Sequence, residues 1–218
     1  MGHIALKRGD GQVTKDAFSG RQVFFRHTLI LSQSTISTSN MKFLLPIPEE
    51  LTPEALDIMD ACEAKVGFVP NIVSMLAYSL PALRSYLTLY ENQAQGTFND
   101  QEREAIYLPV SQVNGSPYCL AAHTTWAKLA GLSEDAILAL RKGKHHDDPK
   151  LDFLARFGRA IAETNGKVPP ELMDEFEEHG YDARALLDVI AIVVESVFSN
   201  LIGVMMRPPI DFQIAREG

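Results

Sequence analysis

Glu104, Cys119 and His123 are side chains able to share a proton, and they lie close together in this sequence. In the stretch NGSPYCLAAHT, residues 114–124, Ser116 followed by Pro117 is the pattern of a helix N-cap and first helical residue, which puts Cys119 in the first turn. The positive end of the helix dipole and the unpaired amides there favour a thiolate, so the thiol is expected to titrate below the ~8.5 of a free cysteine. His123 follows four residues later, one turn away on the same face, where an imidazole can bond the sulfur or move its proton. Glu104 is the natural group to orient that ring, provided the chain folds back across Asn114-Gly115. The same residues also fit a plainer reading, in which Cys119 and His123 are core positions of LAAHTTWAKLAG and the ring bonds a backbone carbonyl.

The elements that must position these groups read as helices. Thr52 as cap, Pro53 at the first position and Glu54 in the first turn predict a helix over 52–66, with Cys62 on its apolar stripe. That cysteine reads as a small buried residue or as a second reactive thiol. A GFVPN turn follows, then apolar residues at helical spacing over 72–93, divided by Pro81. Asn99 and Glu102 have the spacing of a capping box, which gives Glu102 a structural role and leaves Glu104 without one. The helix they open stops at Asn114-Gly115 and holds Pro109, whose missing donor predicts a kink. Further helices are expected over 133–142, 149–165, 169–179 and 183–203. No convincing alternating strand appears, so the expected class is all-α.

Composition narrows the function classes. With 46 % hydrophobic residues the chain can bury a core, and two cysteines are too few for a secreted disulfide framework, which points to a reducing, cytoplasmic setting. The longest apolar run, Leu186 to Val194, contains Asp188 and precedes Glu195, so no membrane span is expected. A net charge of −8 argues against nucleic acid as a partner. The first 40 residues carry a net +3 and no apolar signal core, and read as an extension ahead of a domain over 41–218: a leader, vector-derived sequence or upstream translation. His145-His146 with Asp147-Asp148 reads as a polar turn. His3, His27 and His179 show no partner in the sequence, and no phosphate-cradling loop or dinucleotide fingerprint is present, so no metal or organic cofactor is implied.

EREAIYLPVSQVNGSPYCLAAHT resembles the signature of the carboxymuconolactone decarboxylase and alkylhydroperoxidase D-like superfamily: a glutamate, eleven residues, Cys-x-x-Cys, three residues, histidine. GFVPNIVSMLAYSLPALRSYLTLYENQ, GLSEDAILAL and FSNLIGVMMRPPIDF look like its uncharacterised peroxidase-related branch, so the resemblance covers roughly residues 41–212. It implies an all-helical bundle with its active-site hairpin at about 100–130, assembly as a homo-oligomer, and a thiol peroxidase activity on hydroperoxides. By the same resemblance Cys119 is the peroxidatic thiol, with Glu104 and His123 as its proton relay. The position of the family's first, resolving cysteine is held by Ser116. A hydroxyl can donate a hydrogen bond to a thiolate but cannot form a disulfide, so oxidation is expected to stop at sulfenic acid until another thiol arrives: Cys62, a small thiol or a protein reductant. Two other readings stand beside this one, a muconolactone-type decarboxylase that needs no thiolate and a helical oligomer that has lost catalysis.

Overall fold

The computed structural model describes residues 43–144 and 147–215, so the expectations for residues 1–40, including His3 and His27, and for the His145-His146 pair lie outside the described residues. The described residues form α-helices and short 3-10 turns, with no strand among them. In chain order the helices are α1 (Pro53–Val66), α2 (Asn71–Leu76), α3 (Leu80–Asn92), α4 (Asp100–Val113), α5 (Pro117–Leu129), α6 (Glu134–Arg141), α7 (Pro149–Thr164), α8 (Pro170–Glu178) and α9 (Ala183–Met205).

Most boundaries are set by local chemistry. Thr52, Ser133 and Asp148 cap α1, α6 and α7 with their side-chain oxygens, and Pro81 sits in the first turn of α3. At the start of α4 the capping box is complete: the Asn99 side chain accepts from the Glu102 N–H at 3.0 Å and Glu102 accepts from the Asn99 N–H at 2.9 Å. Pro109 lies inside α4 without ending it. The chain then reverses at Asn114-Gly115, where only the glycine takes positive φ, 62°.

α4 occupies the centre, packed against α5, α6, α7 and α9. Its approach to α7 is close at Gly158, where a Cβ would stand 3.0 Å from the Ile106 side chain. One apolar core, including Ile106, Leu108, Phe153 and Phe157, fills the space among α4, α6, α7, α8 and α9. A second, around Ile72, Val73, Leu83, Tyr118 and Cys119, lies under α1, α2 and α3.

α9 differs from its sequence reading in two respects. It runs on to Met205, and over its best window its mean hydropathy is 2.0, long and apolar enough by composition to cross a membrane. In this fold it is a core helix against α3, α4, α5 and α7, burying Val189, Ile192, Glu195, Ser196, Asn200 and Gly203. His179 also gains neighbours that the sequence did not reveal: it stacks on Phe153, with centroids 4.5 Å apart, and lies 3.9 Å from the Glu175 carboxylate.

Candidate active site

The α4–α5 hairpin folds as the site requires. His123 Nδ1 stands 2.9 Å from Glu104 Oε2, and both side chains are buried. The ring stacks on Tyr107 at a centroid distance of 4.2 Å and an interplanar angle of 13°. The Tyr107 hydroxyl in turn donates to the Gln93 amide oxygen. Burial opposes charge on the ring, but the Glu104 carboxylate, through its charge and hydrogen bond, and then Glu195 outweigh it, so His123 titrates above the usual imidazole value.

Cys119 occupies the third position of α5, where its N–H is 3.4 Å from the Ser116 hydroxyl. The polar side chains of Ser116 and, from α9, Asn200 and Ser199 lie around the sulfur and favour its charged form. The expected low pKa is not found. Burial pushes the Cys119 thiol up, the three polar groups only partly offset this, and Glu195 adds to the rise. The sequence reading counted the helix N-terminus and missed the apolar enclosure, in which the residue is only 2 % exposed. Among the described residues no direct hydrogen bond joins the sulfur to His123, but both line one cavity of about 90 Å³.

Aliphatic and aromatic side chains make most of that cavity's wall, among them Ile72, Val73, Leu87, Tyr86 and Trp126. Tyr118 lines it too and is fixed by accepting the Ile72 N–H at 3.1 Å. Phe212, from the segment after α9, meets Tyr118 and Trp126 edge-on at 5.8 Å each. Asn71 holds this segment in place by donating its N–H to Asp211 at 2.6 Å. Cys62 of α1 lines the same cavity.

Gly203, on the α9 face beside the active-site helix, has no room for a side chain. A Cβ there would stand 2.5 Å from Ser116 Oγ and 3.6 Å from Cys119 Sγ. Residues 195, 199 and 203 recur one helical turn apart, so Glu195, Ser199 and Gly203 bring one stripe of α9 to the site. Sequence reasoning missed these residues. The available signal was polar and small residues at that spacing inside an otherwise apolar helix.

Glu195 is 1 % exposed, and its Oε2 has no hydrogen-bond partner. Burial raises its pKa, opposed by the nearby Tyr107 hydroxyl and the charge of His123. A carboxyl whose pKa the fold raises keeps its proton to higher pH in the native state than in the unfolded chain. Native stability therefore falls as pH rises from the ordinary carboxylate value of 4.5 through the folded one. Glu195→Gln should remove that slope. In urea melts the variant should gain on the wild-type protein more at pH 8 than at pH 4.5, whereas a constant difference would contradict the assignment.

Residues 81–143, which include Glu104, Ser116, Cys119 and His123, match the carboxymuconolactone decarboxylase family. Over 120 residues the chain is 30 % identical to the uncharacterized protein YdfG of Bacillus subtilis (strain 168), covering 51 % of this chain and 78 % of that protein. The chain belongs to the carboxymuconolactone decarboxylase family. Its fold is that of the alkylhydroperoxidase D-like proteins. An AhpD-core, peroxidase-related protein from Ralstonia eutropha JMP134 superposes with a TM-score of 0.68 at 21 % identity, over 77 % of this chain and 91 % of that one. A peroxidase-related protein from Silicibacter sp. TM1040 gives 0.66 at 20 % identity, over 76 % and 89 %. A cysteine-to-alanine variant of the debrominase Bmp8, in complex with 2,3,4-tribromopyrrole, gives 0.66 at 19 % identity, over 78 % and 93 %.

Proposed function

We propose that this protein is a thiol peroxidase that reduces small organic hydroperoxides through Cys119. The observation that carries the reading is the shared cavity: a buried thiol and a carboxylate-paired imidazole face the same small, largely apolar space. Attack of the Cys119 thiolate on the terminal peroxide oxygen breaks the O–O bond and gives a sulfenic acid and an alkoxide. The His123 imidazolium, held in its charged form by Glu104, supplies the proton that the alkoxide takes up. Burial favours the neutral thiol over the reactive thiolate. A polar substrate entering the cavity supplies the solvation that the empty apolar wall lacks.

At about 90 Å³ the cavity is smaller than the ~150 Å³ that holds benzene, which favours a compact alkyl group. Burying the four carbons of a tert-butyl group there, at ~0.8 kcal/mol per carbon, is worth roughly 200-fold. Oxidation of Cys119 by tert-butyl hydroperoxide should outpace oxidation by hydrogen peroxide by that factor, measured by stopped-flow in the wild-type protein and absent in Cys119→Ala. Equal rates would remove the organic substrate class, and reaction undiminished in Cys119→Ala would remove the thiol mechanism. A decarboxylase makes no such demand on the sulfur and is the weaker reading.

The reductant on this reading is an external thiol or thiol protein, and the compartment is the cytoplasm. The solvent side of α9 exposes Leu187, Ile190, Val194, Leu201 and Met205 as an aliphatic stripe, which supports assembly with a second copy of the chain.

A further inference from the structure

The chain holds two cysteines, both free, and they line the same cavity from different helices: Cys119 from α5 and Cys62 from α1. We propose that Cys62 is the resolving thiol that takes the role Ser116 cannot fill, closing a Cys62–Cys119 disulfide across the substrate cavity. The inference rests on the peroxidase reading above.

Neither Ser116 nor any other polar group beside the Cys119 sulfur can take this role. Its neighbours are the hydroxyls of Ser116 and Ser199 and the amide of Asn200, none of which forms a disulfide with a sulfenic acid. Cys62 is the other sulfur nucleophile of the chain and is half-buried, facing the space in which a Cys119 sulfenic acid forms. The steps balance. Cys119 thiolate and ROOH, with one proton, give Cys119 sulfenic acid and ROH. The sulfenic acid and the Cys62 thiol then give the disulfide and water, and an external dithiol returns both sulfurs to thiols while becoming a disulfide itself.

Bond formation needs the two Cβ atoms at about 3.5–4.5 Å. Cys62 lies in the C-terminal half of α1, which packs principally on α3 and ends at Gly67 with φ 91°. A shift of that end of α1 inward consumes the cavity, so the oxidised protein has no room for a second peroxide until it is reduced. This differs from a Cys-x-x-Cys pair, in which both sulfurs belong to one helix turn and the cavity stays open.

The test uses the reduced full-length protein with one equivalent of tert-butyl hydroperoxide, quenched with N-ethylmaleimide and digested without reductant for mass spectrometry. The expected product is a linked Cys62–Cys119 peptide from a chain that stays monomeric on a non-reducing gel. In Cys62→Ser the linked peptide is lost, and Cys119 sulfenic acid trapped by dimedone rises about tenfold or more. Equal trapping in both proteins with no linked peptide overturns the proposal, as does a cross-link between two chains. A parallel titration in glutathione redox buffer, without peroxide, separates the two ideas. An intramolecular disulfide there, with no peroxide oxidation of Cys119, retains the pairing and removes the peroxidase reading. No disulfide in either experiment removes the pairing.

Discussion

Glu104→Gln should slow the reaction of Cys119 with an alkyl hydroperoxide by roughly 10²- to 10³-fold at neutral pH, within the range expected for loss of a positioned proton donor. The substitution keeps the shape and a hydrogen bond to His123 but removes the charge 2.9 Å from the ring. Burial is the largest influence on His123 and favours the neutral ring, and the Glu104 charge is the chief opposing one. Without it the imidazole loses its proton at lower pH, and the departing alkoxide has no acid to meet. The pH–rate profile should therefore show a break set by His123 that moves to lower pH in the variant, while the break set by the thiol changes less. Stability carries the same signature with a defined sign. A histidine whose folded pKa is raised above 6.5 contributes stability that is fully present below that value and is lost as pH rises through the folded one. The wild-type advantage over Glu104→Gln should thus be largest at acid pH and shrink toward alkaline pH. Coincident pH profiles for the two proteins would contradict the relay.

Gly203→Ala should destabilise the protein and disturb the site. The new Cβ would stand 2.5 Å from Ser116 Oγ, and Ser116 has no exposed surface into which to retreat. Its hydroxyl is also tied to its role as the cap of α5. Relieving the overlap means moving α9 off α5 or giving up the cap, at a cost of about 1–3 kcal/mol for overpacking. In a domain of this size that corresponds to a fall in Tm of roughly 3–10 °C. The same displacement moves the Asn200 and Ser199 side chains away from the Cys119 sulfur, so the thiol should become still harder to ionise and alkylate more slowly. Ser116→Ala removes the clashing oxygen, so the double variant should lose less than the sum of the two single ones. Strict additivity in thermal melts would show that the two residues do not meet.

Much of this site is written locally in the sequence. Ser116-Pro117 begins α5, Asn99 and Glu102 begin α4, and the spacing from Glu104 to His123 places both on facing surfaces of one hairpin. Such features depend on neighbours within a turn or two, which is why they can be read without the fold. The ionisation of Cys119 is of another kind. Its helix N-terminus favours a thiolate, yet α9 and the helices around the cavity enclose it, and desolvation wins. Glu195 illustrates the same limit. In the sequence it is one charge that interrupts an apolar run, and only tertiary packing brings it near His123. Cys62 lies on an apolar stripe that fits a plain core residue, and its position on the cavity wall follows from how α1 is carried over the site.

The most direct measurement of the central claim is dimedone trapping on the Cys62→Ser protein, in which Cys119 is the single sulfur able to become a sulfenic acid. After one equivalent of tert-butyl hydroperoxide, mass spectrometry should find the adduct on Cys119, with its yield falling sharply when Glu104→Gln is added. An unmodified Cys119 thiol after complete peroxide exposure would contradict the account.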